Sequence, residues 1–438
     1  MVISSRDWAH SAWLVGGAFA LSGLASALGA CSGGDSASQS AAGTSAGGGV
    51  TAGSSTSGSG GAPASAGMTM GAGTTTGGFD AGGSAAGGSN AGGALGSGGA
   101  AGVSTGGAGT GGSAPAVSPE GDGDFEVGPT YTKDPNLTDQ GKPKGKKFSF
   151  SMSSANSTVF KGDDVTLKAP AKQAWNRNIS VYVPAQYKDG DEAALLVIQD
   201  GPGPIDSISR ALDNLTLSTD PLKKLPPFVA IAVQSGSALD GSDGQGSERG
   251  LEYDTMSDRY ARFIDADVLP AVVADPLVHA AYPGLKFTKD PEGRGAYGCS
   301  SGGAAALAMG WFVPTSWHRI ITYSGTFVAQ QNPAQTAETT LYPFGAWEYH
   351  SDKELIKNTD NKPLRIFLNA NEDDMGKGRP EADHHDWVVA NQRTAAALKA
   401  KNYHYHYVYG LGLGHCDGKV QDLTSAEALS WAWRGYAQ

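Results

Sequence analysis

The chain has 438 residues, of which 64 are glycine, with 32 basic and 43 acidic side chains and a formal net charge of −11. Thirty of the glycines lie between Cys31 and Glu120, a stretch with no lysine or arginine and one aromatic residue, Phe79. That stretch buries too little apolar surface to fold, and it lacks the strict glycine period of collagen. The acidic balance of the remaining chain excludes duplex nucleic acid as the expected partner.

The first 30 residues have the layout of an export signal. A short polar segment with Arg6 precedes an apolar run from Ala12 to Leu28, which small residues follow. The run ends in Leu28-Gly29-Ala30-Cys31, which resembles the lipobox of bacterial lipoproteins, whose cysteine is lipidated and becomes the new N-terminus. An ordinary cleaved signal and a transmembrane helix are the alternatives. We expect a lipoprotein signal peptide over residues 1–30 and lipidation at Cys31, with anchoring to a bacterial outer membrane or cell surface.

Residues 31–122 are predicted to form a disordered linker rich in glycine, serine and alanine. A flexible coil of this length has an r.m.s. reach of roughly 50 Å. The segment is therefore expected to hold the domain of residues 123–438 away from a membrane.

The remaining chain alternates apolar, β-branched runs with helical patterns, which predicts an α/β fold with a mostly parallel sheet covered by helices on both faces. The segment before Asn176 is expected to add an edge hairpin. A capping-box pattern from Thr424 to Glu427 predicts the start of the final helix. The predicted strands are Ile179–Val183, Ala194–Ile198, Phe228–Val233, Arg319–Tyr323, Leu364–Leu368 and Tyr403–Tyr409.

A G-x-S-x-G pattern runs from Gly298 to Gly302. An apolar segment that can form a strand precedes it, and an alanine-rich segment that can form a helix follows it. That context is the one a nucleophile elbow needs, because the sharp turn between strand and helix exposes the serine hydroxyl. The pattern predicts Ser300 as a nucleophile, the alternative being a glycine-rich turn with two incidental serines.

A nucleophilic serine needs a histidine base and an acid that orients the base, and in α/β-hydrolases both follow the serine in the chain. His415 fits the base, in a glycine-rich segment, Gly410–Gly414, taken as a loop after the last strand. The acid is expected after the strand ending at Leu368, where Glu372, Asp373 and Asp374 are equivalent candidates.

The other histidines fit the role less well. His404 and His406 share one strand face and are expected to be packed or surface residues. His384 and His385 lie beside Asp383 and Asp386, but adjacent histidines point apart and Asp386 fits a helix N-cap, so no metal site is expected.

The sequence resembles the esterase D or enterochelin-esterase-like family of α/β-hydrolases. The similarity lies in Glu248–Phe263, Val181–Tyr187, Gln199–Gly201 and the elbow. The resemblance implies hydrolysis of carboxylic esters, with Ser300 as the nucleophile, His415 as the base and Asp374 as the best match to the acid. Because the family is broad, it leaves the substrate open.

An oxyanion hole needs two N–H groups aimed at the developing alkoxide. One is expected from Ser301. The second is expected from the loop Asp200–Pro204, in which only Gly201 and Gly203 can supply it among the residues after Asp200, and Gly201 is the first choice.

Cys299 precedes the predicted nucleophile and Cys416 follows the predicted base. If Ser300 and His415 meet, their neighbours are also close, so a disulfide becomes feasible, and export would permit it. The arrangement is similar to that of tannases and related feruloyl esterases, where a bridge ties the two catalytic loops. The spacing here leaves no room for the lid domain of those enzymes, and two buried thiols are the alternative.

These features predict a serine esterase without metal or organic cofactor, acting on extracellular esters of feruloyl, acetyl or siderophore type. The ester partner is expected to be linked to a polysaccharide or a siderophore. An acyltransferase with the same nucleophile and a non-catalytic surface-binding lipoprotein are the alternatives. Tyr297 and Glu252 are candidates for the pocket lining, and the oligomeric state is open.

Overall fold

The computed structural model describes residues 120–169, 171–236, 246–331 and 340–436. The predicted signal peptide, Cys31 and the linker up to residue 119 lie outside these residues. Within the described part of the chain, no helix is long and apolar enough to cross a membrane.

A central sheet of nine strands organises the described residues. With a separate pair, β4 and β7, the described residues form eleven strands: β1 (Gly123–Val127), β2 (Lys146–Ser153), β3 (Asn176–Val183), β4 (Glu192–Ala193), β5 (Leu195–Gln199), β6 (Val229–Val233), β7 (Lys286–Phe287), β8 (Arg294–Cys299), β9 (Arg319–Tyr323), β10 (Arg365–Asp373) and β11 (His404–Gly414). Their order in the sheet is β1-β11-β10-β9-β8-β5-β6-β3-β2, and β4 pairs separately with β7. Only β2 and β3, and β3 and β6, pair in antiparallel fashion within this sheet.

Helices cover both faces of the sheet. They are α1 (Ile205–Leu215), α2 (Glu248–Tyr253), α3 (Arg259–Phe263), α4 (Leu269–Ala274), α5 (Pro276–Ala281), α6 (Ser301–Phe312), α7 (Leu355–Asn358), α8 (Trp387–Ala400) and α9 (Gly418–Ala432). Short 3₁₀ turns lie at Pro135–Leu137, Ser154–Asn156, Pro291–Gly293, Gly345–Tyr349 and Glu381–Asp383, and a π-helical turn lies at Ile264–Val268.

The core has two layers, one on each side of the sheet. In β5, Leu195 and Val197 pack into the layer that contains residues of α6 and α8. Leu196 and Ile198 pack into the opposite layer, with residues of α1 and α9. Because side chains of a strand alternate between faces, a strand buried on both faces has a continuous apolar sequence. The predicted α/β-hydrolase fold is confirmed.

Two edges of the sheet carry added strands. At one edge β2 pairs with β3, as expected for the segment before Asn176. At the other edge β1 pairs in parallel with β11, a strand that was not predicted. Glu120, which belongs to the predicted linker of residues 31–122, contacts the sheet, since its carboxylate lies 2.9 Å from the Arg365 guanidinium.

Two predicted element boundaries are wrong. The segment Gly410–Gly414 is not a loop, because β11 continues to Gly414 and pairs there with Asp373 of β10 after a register shift. The final helix begins at Gly418, where the Asp417 side chain accepts a hydrogen bond from the Lys419 N–H. Thr424 lies inside this helix and donates its hydroxyl hydrogen to the Val420 carbonyl, 2.7 Å away.

Candidate active site

Ser300 forms a sharp turn between β8 and α6. Its backbone has φ 57° and ψ −132°, a conformation that residues other than glycine rarely adopt. The Ser300 N–H donates to the Tyr323 carbonyl, and the Ser300 carbonyl accepts from the Thr326 N–H, both over 3.0 Å. The two bonds fix the turn against the end of β9.

Glycine at position 298 lets the strand and the helix meet closely at this turn. A Cβ atom on Gly298 would lie 2.2 Å from the carbonyl carbon of Gly302, well inside van der Waals contact. A larger residue would therefore move Ser300. The strand, the strained serine and the helix have the geometry of a nucleophile elbow.

His415 lies between Ser300 and Asp374. Its Nε2 atom is 2.9 Å from Ser300 Oγ, and its Nδ1 atom is 2.6 Å from Asp374 Oδ1. The three residues follow β8, β11 and β10, whose carboxyl ends lie at one edge of the parallel part of the sheet. The structure thus brings together the serine, histidine and acid that the sequence singles out.

Asp374 is buried and has a full set of hydrogen-bond donors. It is 3% exposed, and its Oδ1 accepts a hydrogen bond from the Met375 N–H over 2.8 Å. Burial alone would raise the pKa of this carboxyl, but hydrogen bonds from His415 and Ser324 outweigh burial and lower the pKa below its ordinary value. The carboxylate form is therefore favoured next to His415 Nδ1.

Glu372 and Asp373 lie elsewhere. Asp373 pairs with Lys377 at 2.9 Å and its side chain is 60% exposed. Glu372 accepts a hydrogen bond from the Gly412 N–H over 2.9 Å. Neither carboxylate is at hydrogen-bonding distance from His415.

The two expected oxyanion donors differ in their surroundings. Ser301 is the first residue of α6, so its N–H has no acceptor within the helix. The Gly201 N–H donates to the Val233 carbonyl over 2.9 Å, so it is engaged in backbone pairing with the end of β6. Gly201 therefore does not fit the predicted role, and because prolines lack an N–H, Gly203 is the remaining candidate in that loop.

A disulfide joins Cys299 to Cys416 across a Cα–Cα distance of 6.0 Å. Cys299 ends β8 directly before Ser300, and Cys416 follows His415. The Cys416 N–H also donates to Ser324 Oγ over 3.1 Å. The bond thus connects the two segments that carry the serine and the histidine.

His384, His404 and His406 each have partners away from Ser300. His404 pairs with Asp122, and His406 Nδ1 lies 2.8 Å from the Gly121 carbonyl. His384 stacks on Trp347, while Asp386 caps α8 by accepting from the Val389 N–H. Among the described residues, no group of three or more His, Cys, Asp or Glu side chains is arranged to hold a metal ion.

The two residues named as pocket candidates are both core residues. Tyr297 is 1% exposed and its hydroxyl lies 3.2 Å from Gln421 Oε1. Glu252 is buried against Arg177, with oxygen–nitrogen distances of 2.5 and 3.1 Å. The prediction that they line a pocket is wrong, because strand alternation and the ion pair turn both side chains inward.

Two residues near Ser300 were missed in the sequence. Thr326 Oγ1 lies 3.4 Å from Ser300 Oγ, and the Trp387 indole N–H donates to Thr326 Oγ1 over 3.3 Å. No spacing rule connects them to the elbow. Their position depends on β9 lying between β8 and β10, which only the strand order shows.

The sheet, its helical layers and the elbow define the class of protein, an α/β-hydrolase. Residues 171–416 match the model of the family described as "Putative esterase", which covers more than half of the chain. The chain belongs to this esterase family and is a carboxylic ester hydrolase.

Several solved structures are similar to this chain. A ferulic acid esterase is 14% identical over 67% of this chain and 99% of its own, with a TM-score of 0.44. An enterobactin esterase from Shigella flexneri is 19% identical over 67% of this chain and 61% of its own, with a TM-score of 0.42. A feruloyl esterase module from Clostridium thermocellum, complexed with sinapinate, is 14% identical over 72% and 97%, with a TM-score of 0.39. A comparison with curated proteins gives no match.

Proposed function

We propose that the chain hydrolyses carboxylic esters through an acyl-enzyme on Ser300, with His415 as the general base and Asp374 as the acid that orients it. The observation that carries the proposal is the position of His415, within 2.9 Å of Ser300 Oγ and 2.6 Å of Asp374 Oδ1. A carboxylate at Nδ1 keeps the proton on that nitrogen and leaves Nε2 free to accept the hydroxyl proton.

In the acylation step, Ser300 Oγ bonds to the ester carbonyl carbon while its proton passes to His415 Nε2. The carbonyl π electrons move to oxygen, which accepts a hydrogen bond from the Ser301 N–H in this proposal. When the C–O bond to the alcohol breaks, His415 returns the proton to the leaving oxygen. Water then attacks the acyl-enzyme in the same manner and releases the acid.

Replacing the nucleophile tests the proposal. Ser300→Ala should abolish turnover of an activated p-nitrophenyl ester, because no other hydroxyl lies within hydrogen-bonding distance of His415 Nε2 in the described structure. Ser301→Ala is a matched control that leaves the backbone N–H in place and should retain measurable turnover. Mass spectrometry of the quenched wild-type enzyme should detect one acyl group on Ser300. Turnover of Ser300→Ala at the wild-type rate would reject the mechanism.

For the substrate, we propose extracellular esters of feruloyl, acetyl or siderophore type. The support is the predicted linker of residues 31–122, because a domain held away from a membrane suits a large substrate outside the cell. Assay of the protein on a panel of these esters, with and without an added alcohol acceptor, identifies the acyl and alcohol groups. Transfer products that exceed the hydrolysis products would instead indicate an acyltransferase.

We further propose that Cys31 is lipidated and anchors the protein to a bacterial membrane. The motif Leu28–Cys31 after an apolar run supports it. The full chain expressed in a bacterial host should incorporate labelled palmitate and fractionate with membranes. Cys31→Ser should prevent both, and labelling that persists in this variant would contradict the assignment.

A further inference from the structure

Thr326 contacts the nucleophile from the side of β9. Its Oγ1 lies 3.4 Å from Ser300 Oγ, and its N–H donates to the Ser300 carbonyl over 3.0 Å. The residue is 1% exposed, so little water competes with its hydroxyl for hydrogen bonds to these neighbours. Hydrogen bonds at catalytic groups are often long without substrate and shorten in the transition state.

The indole of Trp387 sets the direction of the hydrogen bonds. An indole nitrogen can only donate, so Thr326 Oγ1 must accept from it over the 3.3 Å between the two atoms. The hydroxyl hydrogen of Thr326 is then available for Ser300 Oγ. With Ser300 Oγ accepting from Thr326, its own hydrogen is directed to His415 Nε2, 2.9 Å away.

Trp387 is itself held by the segments around the site. Its backbone N–H donates to the Met375 carbonyl over 3.0 Å, directly after Asp374. Its ring meets the His415 ring edge-on, with centroids 5.9 Å apart and an interplanar angle of 83°. Asn391, one turn along α8, donates to the Gly325 carbonyl over 2.9 Å and so fixes the helix to the residue before Thr326.

We propose that Thr326 is a further catalytic residue, whose hydroxyl donates to Ser300 Oγ, and that Trp387 is a positioning residue that orients this hydroxyl. The inference rests on the proposed function, in which Ser300 is the nucleophile. It assigns a donor to the nucleophilic oxygen, separate from the donors of the oxyanion hole.

The donor acts in both half-reactions and keeps its own proton. During acylation, negative charge builds on Ser300 Oγ as its proton moves to His415 Nε2 and its bond to the carbonyl carbon forms. During deacylation, that bond breaks with its electron pair going to Ser300 Oγ, and His415 supplies the proton. A hydrogen bond from Thr326 stabilises the charged oxygen in each step.

Removing the hydroxyl tests the inference. Thr326→Val keeps the shape of the side chain and should lower kcat about ten- to hundredfold with little change in KM, the range expected for one hydrogen bond to a charged group. Inactivation by a sulfonyl fluoride, which also requires attack by Ser300, should slow by a similar factor. Thr326→Ser should restore most of the loss. Thr322→Val removes a buried hydroxyl that has no hydrogen-bond partner in the described part of the chain, and it should leave kcat unchanged.

A double-variant cycle tests the part assigned to Trp387. Trp387→Phe keeps an aromatic ring against His415 and removes the N–H, so it should lower kcat less than Thr326→Val does. The double variant should be no slower than Thr326→Val alone, because Trp387 acts through Thr326. Unchanged kcat in Thr326→Val, or additive losses in the double variant, would overturn the inference. If Ser300→Ala also retains turnover, the proposed function itself is what fails.

Discussion

At the scale of single residues, the surroundings of the three consecutive acids after Leu368 decide their roles. Asp374 is buried and bonded to His415, while Asp373 pairs with the exposed Lys377. A surface ion pair of that kind contributes little to stability, whereas a buried carboxylate that orients a histidine changes its tautomer and its reactivity. The difference gives a direct test of which acid the enzyme uses.

Asp374→Asn should lower kcat by about 10³- to 10⁴-fold, because an amide at Nδ1 favours the wrong histidine tautomer. Asp373→Asn is the matched control and should change kcat less than twofold. Steady-state assays on one activated ester measure both variants. A larger loss in Asp373→Asn than in Asp374→Asn would exchange the two assignments.

The pKa of Asp374 predicts how the site responds to acid. Its hydrogen bonds lower the pKa, so the folded state binds this proton more weakly than the unfolded chain does. The associated stability is present above the ordinary aspartate range and is lost as the pH falls through the lowered pKa. Wild-type protein should therefore lose more unfolding free energy than Asp374→Asn between pH 6 and pH 3, as measured by urea titration. Parallel losses in the two proteins would contradict this linkage.

At the scale of elements, sequence patterns predicted the strands that are buried on both faces. The apolar runs ending at Ile198, Val233 and Tyr323 each match a strand of the sheet within a residue or two. The edge strand β1 was missed because it is short and half-polar, and its pairing with β11 is a contact between distant parts of the chain. At the extended end of β11, the Asn371 amide donates a hydrogen bond to the Gly414 carbonyl over 2.6 Å.

As with the strands, the parts of the candidate site that stand in local motifs could be predicted, and the parts that depend on contacts between distant segments could not. Ser300 and His415 stand in motifs with a known order along the chain, so the sequence singles both out, and their side chains lie 2.9 Å apart in the structure. The engagement of the Gly201 N–H by Val233 could not be predicted, because it depends on how β5 and β6 end beside each other. Thr326 was missed for the same reason.

Helix α2 contains a buried carboxyl, Glu248, whose charge state should affect the stability of the protein. Glu248 is 1% exposed, and neither of its carboxylate oxygens has a hydrogen-bond partner among the residues that the structure describes. Burial, followed by the charge of Glu252, raises the pKa of Glu248 to about 8, against the opposing charge of Arg177. Asp164 and Arg259 are the other charged groups that act on it. The folded state thus holds a proton here that the unfolded chain releases at lower pH.

Glu248→Gln should remove the part of the pH dependence of stability that comes from this carboxyl. In the wild type, stability from the protonated carboxyl is complete below the unfolded pKa and is lost as the pH rises towards about 8. The difference in unfolding free energy between the variant and the wild type should shift in favour of the variant by at least about 1 kcal/mol from pH 5 to pH 8, since one pKa unit is worth about 1.4 kcal/mol. Urea unfolding at both pH values measures it. Glu252→Gln, which leaves Arg177 buried without its partner, should instead destabilise the protein at both.

At the scale of the whole molecule, the bond between Cys299 and Cys416 connects parts of the domain that are 117 residues apart in the chain. The segment between them includes β9, followed by Thr326, β10, followed by Asp374, and α8, which begins with Trp387. The loop that the bond closes therefore contains Ser300, Thr326, Asp374, Trp387 and His415. In a chain-entropy description, a closed loop of this length stabilises the folded state by about 4–5 kcal/mol as an upper value.

Removing the disulfide tests two effects of the bond, its contribution to the stability of the fold and its part in positioning His415. The double variant Cys299→Ala/Cys416→Ala is expected to unfold at lower urea concentration, with a loss of up to about 4 kcal/mol. Its kcat should fall as well, because the segment that carries His415 then loses its covalent link to the segment that carries Ser300. Thiol labelling and mass spectrometry of unreduced wild-type protein should find no free thiol at either cysteine. Reduction of the wild type should reproduce the losses of the variant and should leave the variant itself unchanged. Free thiols in the native protein, or equal urea midpoints for wild type and variant, would show that the bond does not constrain the native enzyme.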